Sequence, residues 1–338
     1  MRAKLVFLGG CILLLPVYTV LAGPLGVNQL VVFGDSLSDV GNAAIGTGGI
    51  LPGPATNYAP GEFTDGPVTV PSTSGPTGIW VDQIAPKLGV AGAGPSFTGG
   101  TDFAVGGAQT GTNPNFPGVL QAPYVDQQVQ LFLTGGKVSS TALYAFWAGA
   151  NDIDNNPLTP GIGTQAADNI YKNILSLSGA GAKYFLWFNL PLLGQTPDAL
   201  GQGPQAVAIG NADSLAFDAE WQLDMAKLLN QGIYVVGVDT EALFVKILAD
   251  NAAGCKTGAA DPFCFANVTQ GAQGKIGVDP NTYLFWDGEH PTTTGQALVA
   301  NAALAAIVDS PEPSSAALAI LGFAGAALLA YRSRANSN

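Results

Sequence analysis

The sequence predicts an α/β fold, a three-layer α/β/α sandwich around a mainly parallel five-stranded sheet. Three observations lead there. Five short apolar runs recur along the chain, at 30–33, 101–105, 143–148, 183–189 and 233–238, each the length of a buried strand. Helix-like stretches lie between and after them, at 79–88, 124–133, 165–177, 205–229 and 241–249. Strands alternating with helices call for a parallel sheet covered on both faces, and the handedness of crossovers then gives the sandwich.

Taken in order, residues 1–22 read as an export signal. Arg2 and Lys4 give a positive start, "LVFLGGCILLLPVYTV" an apolar stretch, and "VLA" ending at Ala22 a small-residue cleavage site. A lipoprotein signal at Cys11 is rejected, because few apolar residues precede it and the apolar run continues past it. The first strand, "LVVF" (30–33), is followed by Gly34, and the stretch 44–78, rich in Gly, Pro, Ser and Thr, reads as a long surface loop. After the helix at 79–88, "TDFAV" (101–105) runs into Gly106-Gly107; after the helix at 124–133, "LYAFWA" (143–148) runs into Gly149. "KYFLWFN" (183–189) and "IYVVGV" (233–238) complete the sheet. "TTTGQALVANAALAAI", which opens on capping candidates, supplies a last helix. With no internal repeat and no linker in view, residues 23–310 read as one domain.

Composition narrows the partners. The formal net charge is −12, only 11% of residues are charged and 47% are hydrophobic, a globular balance. Arginine occurs only at Arg2, Arg332 and Arg334, so the body lacks the planar fork that grips phosphates. An acidic chain of this kind makes no nucleic-acid partner. Cys255 and Cys264 stand in a loop-like stretch, "GCKTGAADPFCF", and in an oxidising compartment would close a small disulfide loop; the alternative is two free thiols. No histidine or third cysteine is near, which argues against zinc.

Residues 311–338 form a separate tail: Pro311-Glu312-Pro313, an apolar run marginal in length for a membrane span, and a basic end at Arg332 and Arg334. All three parts resemble the PEP-CTERM sorting signal of Gram-negative bacteria. The resemblance implies transient membrane contact through this tail, recognition by exosortase-type sorting machinery, removal of the tail, and delivery to the cell surface or exterior.

Four stretches carry the chemistry, each with a plainer explanation when taken alone. In "LVVFGDSLSDVGN" (30–42) Ser36 follows a strand, where it can present its hydroxyl or merely cap a helix. It is not a G-x-S-x-G elbow, since position 38 is Ser. In "TDFAVGGAQT" (101–110) the Gly106-Gly107 pair allows close backbone approach or an ordinary turn. In "FWAGANDID" (146–154) Asn151 can donate to a developing oxyanion or simply form a turn. In "YLFWDGEHP" (283–291) the chain's one histidine, His290, lies three residues after Asp287. Such a pair can set the carboxylate against one ring nitrogen while the other faces a serine, which needs a base to become a nucleophile.

In order, "FGDSLSDVGN", "FAVGGA", "GAND" and "DGEHPT" resemble the four sequence blocks of the GDSL, or SGNH hydrolase, family across residues 30–291. "GEFTDGPV" (61–68) and "NLPLLGQTP" (189–197) are similar to segments of its larger bacterial and plant members. The resemblance implies a flavodoxin-like sandwich and a serine hydrolase acting on small-molecule or lipid esters, with no metal or organic cofactor. It implies Ser36 as nucleophile, His290 as general base and acid, and Asp287 as its orienting partner. The Ser36 N–H, the Gly107 N–H and the Asn151 side chain would be the oxyanion donors. Asp102 stands where the second block commonly has asparagine, a position expected to be structural. Two other readings keep the fold: a non-catalytic surface or matrix protein, and an O-acetyl esterase of surface polysaccharide.

Overall fold

Along each central strand, neighbouring side chains point to opposite faces, and both faces are apolar. The computed structural model describes residues 26–65, 77–117, 121–255, 261–275 and 277–310. The export signal (1–22) and the sorting tail (311–338) lie outside the described residues. Strands β1 (Gln29–Gly34), β2 (Tyr58–Ala59), β3 (Glu62–Asp65), β4 (Ala142–Trp147), β5 (Tyr184–Phe188), β6 (Val235–Val238), β7 (Asn267–Gly271) and β8 (Tyr283–Phe285) are joined by helices. In chain order these are α1 (Asn42–Gly46), α2 (Trp80–Leu88), α3 (Val125–Thr134), α4 (Ala150–Asn155), α5 (Ile162–Gly179), α6 (Pro197–Gln202), α7 (Pro204–Asn230), α8 (Thr240–Ala252) and α9 (Thr293–Asp309).

The central sheet runs β1-β4-β5-β6, with every pairing parallel. Leu30, Val32, Leu143, Trp147, Leu186 and Phe188 face one core, with α2, α8 and α9. Val31, Phe33, Tyr144, Phe146, Phe185 and Trp187 face the other, with α3, α5 and α7. This period of two with both faces filled produces the three layers. Each such side chain contributes about 1.5–3 kcal/mol on burial.

The expected fifth strand, 101–105, needs correction: the regular sheet has four strands. The run lies beside β1, with Val32 donating to the Thr101 carbonyl and Phe103 to the Val32 carbonyl, but it forms only an isolated parallel bridge at Asp102. The reason is local. The Asp102 carboxylate folds back onto the Val40 and Ala104 amides at 2.8 and 2.9 Å, and the Asn42 side chain donates to the carbonyls of Asp102 and Ala104. These bonds hold the run in an irregular shape. Counting it, the order from the edge is 101–105, β1, β4, β5, β6. The chain first goes to one side of β1 and then to the other. That makes the carboxyl ends of β1 and β4 the switch point where α/β folds place their sites.

The stretch 44–78 also departs from a plain surface loop. It contains the β2–β3 hairpin, whose Phe63 and Thr64 are buried. Among the described residues, no helix is long and apolar enough to cross a membrane.

Candidate active site

Ser36 stands two residues beyond β1, beside the carboxyl end of β4. Gly34 permits this closeness: a Cβ there would lie 2.4 Å from the Trp147 carbonyl oxygen. The Ser36 hydroxyl lies 2.7 Å from His290 Nε2, and His290 Nδ1 lies 2.6 Å from Asp287 Oδ2. The structure therefore brings together the three residues that the letters at the two ends of the domain suggested.

The turn that holds the histidine is built by its own aspartate. Asp287 Oδ1 accepts the amides of Glu289 and His290 at 2.8 and 2.7 Å, leaving Oδ2 for the imidazole. Trp286 closes the turn by donating to the His290 carbonyl at 2.7 Å, and Phe285 bridges Pro291. α9 begins beyond, capped by the Thr292 hydroxyl.

Electrostatics divide the pair. Burial tends to raise Asp287, but the charge of His290 and hydrogen bonds from His290, Tyr58 and the Glu289 amide hold it down to about 2. Burial tends to lower His290, but the charge and hydrogen bond of Asp287, aided by Glu289 and Asp35, push it up to about 9. The arrangement thus stabilises an imidazolium beside a carboxylate, the state reached when the serine has given up its proton.

The expected oxyanion donors stand as follows. Asn151, in the first turn of α4, lines one cavity together with Ser36 and His290. Gly107 does not line it; it occupies the turn after 101–105 with φ +80°, a conformation suited to glycine. Its neighbour Gly106 donates to Asp39 Oδ2 at 2.8 Å. Among the described residues, the amides of Ser36 and Gly107 and the side-chain amide of Asn151 donate to no protein acceptor. The rest of the GDSL stretch is scaffolding: Asp39 gathers four backbone amides, and Ser38 accepts from the Trp80 indole at 3.1 Å. Asp152, next to Asn151, accepts from the Thr110 amide and hydroxyl at 2.9 and 2.8 Å.

Two contributors escaped the sequence reading, both from the hairpin in 44–78. Tyr58 donates its hydroxyl to Asp287 Oδ2 at 2.6 Å. Phe63 stacks on the imidazole, with ring centres 5.1 Å apart. Gly106 makes room for that ring, since a Cβ there would lie 2.6 Å from it. The one signal for Phe63 was its place in "GEFTDGPV"; Tyr58, 229 residues from Asp287, carried none. Elsewhere, Cys255 and Cys264 form a disulfide, with Cα atoms 5.6 Å apart.

Similarity to known proteins extends over most of the described chain. Residues 30–303 match the GDSL-like Lipase/Acylhydrolase family. Esterase EstA of Pseudomonas aeruginosa is 28% identical over 311 residues, covering 83% of this chain and 47% of that protein. The phosphatidylcholine-sterol acyltransferase of Aeromonas hydrophila is 29% identical over 231 residues, covering 66% of this chain and 61% of that protein. The chain thus spans about half to three-fifths of the length of these relatives. Among solved structures, a lipolytic protein of the G-D-S-L family from Veillonella parvula aligns with a TM-score of 0.41 at 14% identity, covering 82% of this chain and 97% of that one. With the match spanning nearly the whole described domain and the serine, histidine and aspartate assembled at its two ends, the chain belongs to the GDSL-like lipase/acylhydrolase family.

Proposed function

We propose that the protein hydrolyses carboxylic esters through an acyl-enzyme on Ser36. The observation that carries this is the continuous relay from Ser36 to His290 at 2.7 Å and from His290 to Asp287 at 2.6 Å. Ser36 Oγ attacks the ester carbonyl carbon while His290 Nε2 takes its proton. The carbonyl oxygen becomes an oxyanion held by the Ser36 amide and the Asn151 side chain, with the Gly107 amide, in the turn after 101–105, as the third donor that the family resemblance implies. The C–O bond to the alcohol then breaks, and His290 returns the proton to the leaving oxygen. Water enters, His290 takes one of its protons, and the acid is released as Ser36 regains its hydrogen. Asp287 keeps the imidazole in register and stabilises it while charged.

The test is turnover of a short-chain chromogenic ester beside Ser36→Ala. Loss of turnover in the variant is expected, and equal rates would refute the enzyme. Asn151→Ala is expected to lower kcat by about 10²–10³, the usual cost of one oxyanion donor, with KM nearly unchanged. A smaller loss removes Asn151 from that role.

The same chain is proposed to act outside the cytoplasm, sorted through its tail by exosortase-type machinery. The signal-like start, the Pro311-Glu312-Pro313 tail and the Cys255–Cys264 disulfide support an oxidising destination. Cell fractionation checks this, with the processed form expected at the surface or in the medium.

A further inference from the structure

The imidazole of His290 is held at both nitrogens, by Asp287 at Nδ1 and by Ser36 at Nε2. The second hold is temporary. Once Ser36 Oγ carries an acyl group its hydrogen is gone, and Nε2 must serve the leaving oxygen and then water. A ring fastened only at Nδ1 can swing about its Cβ–Cγ bond, a torsion with broad wells. A group packed on its face blocks that swing.

Phe63 is such a group. Its ring is buried and stacks on the imidazole, with centres 5.1 Å apart and planes inclined by 26°. Tyr58 meets Phe63 edge-on at 5.5 Å. The strand that carries Phe63, β3, is fastened to the chain just past His290. Thr64 donates to the Pro291 carbonyl and the Thr293 hydroxyl donates to Asp65 Oδ2, each at 3.1 Å. Phenyl ring and imidazole therefore share one local frame.

Gly106 supplies the room for that ring. A Cβ at this position would lie 2.6 Å from Phe63 Cε2 and Cζ. Gly107 has φ +80°, which suits glycine, whereas Gly106 lies outside the left-handed region. The ring, not the backbone conformation, is what calls for glycine at 106. Nor is the position free to retreat, since its amide is bound to Asp39 Oδ2 at 2.8 Å. A methyl group there pushes the ring instead.

We propose that Phe63 and Gly106 act as one positioning unit for the general base: the ring keeps the plane of His290 through the cycle, and the missing side chain at 106 admits the ring. Neither exchanges a proton or bonds the acyl group; both act through His290. This rests on the ester-hydrolase reading of Ser36 and names what holds its base in register.

The experiment compares Phe63→Leu, Gly106→Ala and the double variant with the unsubstituted chain. Leucine keeps an apolar filling but offers no plane. Kinetics are read as kcat/KM, which reports acylation, on ethyl acetate and p-nitrophenyl acetate. Each single variant is expected to lose roughly ten- to hundredfold on ethyl acetate, the scale of a misplacement of up to about 1 Å. The loss is smaller on p-nitrophenyl acetate, whose leaving oxygen needs little help from an acid. The double variant is expected to match the worse single variant within about twofold, because the methyl at 106 has nothing to displace once the ring is absent.

A second readout needs no turnover. His290 is the chain's one histidine, so isotope-labelled histidine in an untagged chain gives one set of imidazole NMR signals. On the acid plateau of its titration, the carbon-bound ring protons are expected to move downfield in both single variants, as the ring current of Phe63 is withdrawn. Where the urea midpoint shows Phe63→Leu to be unfolded, Phe63→Met takes its place. Losses that multiply in the double variant overturn the inference. So do losses equal on both esters, kcat/KM unchanged in both single variants, or imidazole protons that stay in place. With turnover lost in Ser36→Ala, any of these failures falls on the positioning unit alone; turnover undiminished in Ser36→Ala refutes the hydrolase itself.

Discussion

Asp287 Oδ2 serves two donors at once, His290 Nδ1 and the Tyr58 hydroxyl, each at 2.6 Å. Tyr58 therefore tempers the charge that Asp287 offers to the imidazole. Tyr58→Phe keeps the ring against Phe63 but removes the donor. The carboxylate then holds imidazolium more tightly, so the acid limb of the kcat/KM profile should move to higher pH. The expected loss in kcat is about three- to tenfold, the worth of one ordinary hydrogen bond. A change in rate without a shift of the limb would make Tyr58 merely structural. Glu289 acts in the opposite direction. Its carboxylate lies 3.8 Å from His290 Nε2 and raises the histidine. Glu289→Gln should move the same limb to lower pH, because the base form of His290 is the active one. The three relay residues were legible because each lies in a recognisable block and the chain has one histidine to offer. Tyr58 was not, since its partner is fixed by a hairpin dock and no spacing records that.

At the level of elements, the aspartate of the first block binds two blocks together. Asp39 is fully buried and accepts the amides of Gly41, Asn42 and Ala43 at the start of α1, and that of Gly106 from the second block. Burial first raises its pKa, and these four amides pull it back, leaving it at about 6. Asp39→Ala strands those donors, and a loss of about 3 kcal/mol in urea unfolding is expected. A loss under about 1 kcal/mol would mean that water replaces the carboxylate readily. The longer helices α2, α3, α5, α7, α8 and α9 were legible almost to their ends, and Pro or Gly marks several boundaries; α7, for instance, opens on Pro204, whereas the short α1, α4 and α6, of five or six residues, offer too few turns for a period to show. The run 101–105 was read as a full strand from its apolar letters. What the letters omit is that Asp102 spends its carboxylate on the neighbouring backbone. The hairpin at 58–65 was hidden in a stretch rich in loop-forming residues, and only its docking onto the histidine turn orders it. That dock includes Thr64 donating to the Pro291 carbonyl at 3.1 Å.

Across the whole molecule, buried acids set the response to pH. Burial raises Asp35 from 3.8 to about 7, while burial and then Asp82 raise Glu62 from 4.5 to about 8. Such groups bind protons more tightly folded than unfolded, so their contribution is present at low pH and lost as pH climbs through these windows. Asp287 runs the other way: held down to about 2, it stabilises the fold above 3.8 and ceases to do so as pH falls toward 2. Stability measured by urea midpoint should therefore decline between about 4.5 and 8, and Glu62→Gln should flatten the decline. A midpoint that rises over that range would show the acids to be hydrated in the folded state. The layered architecture was readable from alternation alone, because filling both faces of a parallel sheet leaves few arrangements.

The hydroxyl and the imidazole that face each other are separated by 254 positions along the chain. A ribosome must therefore deliver almost the entire domain before any catalytic pair can exist. Synthesis therefore completes the serine–histidine pair last, and a fragment lacking the final stretch has no imidazole to set against Ser36.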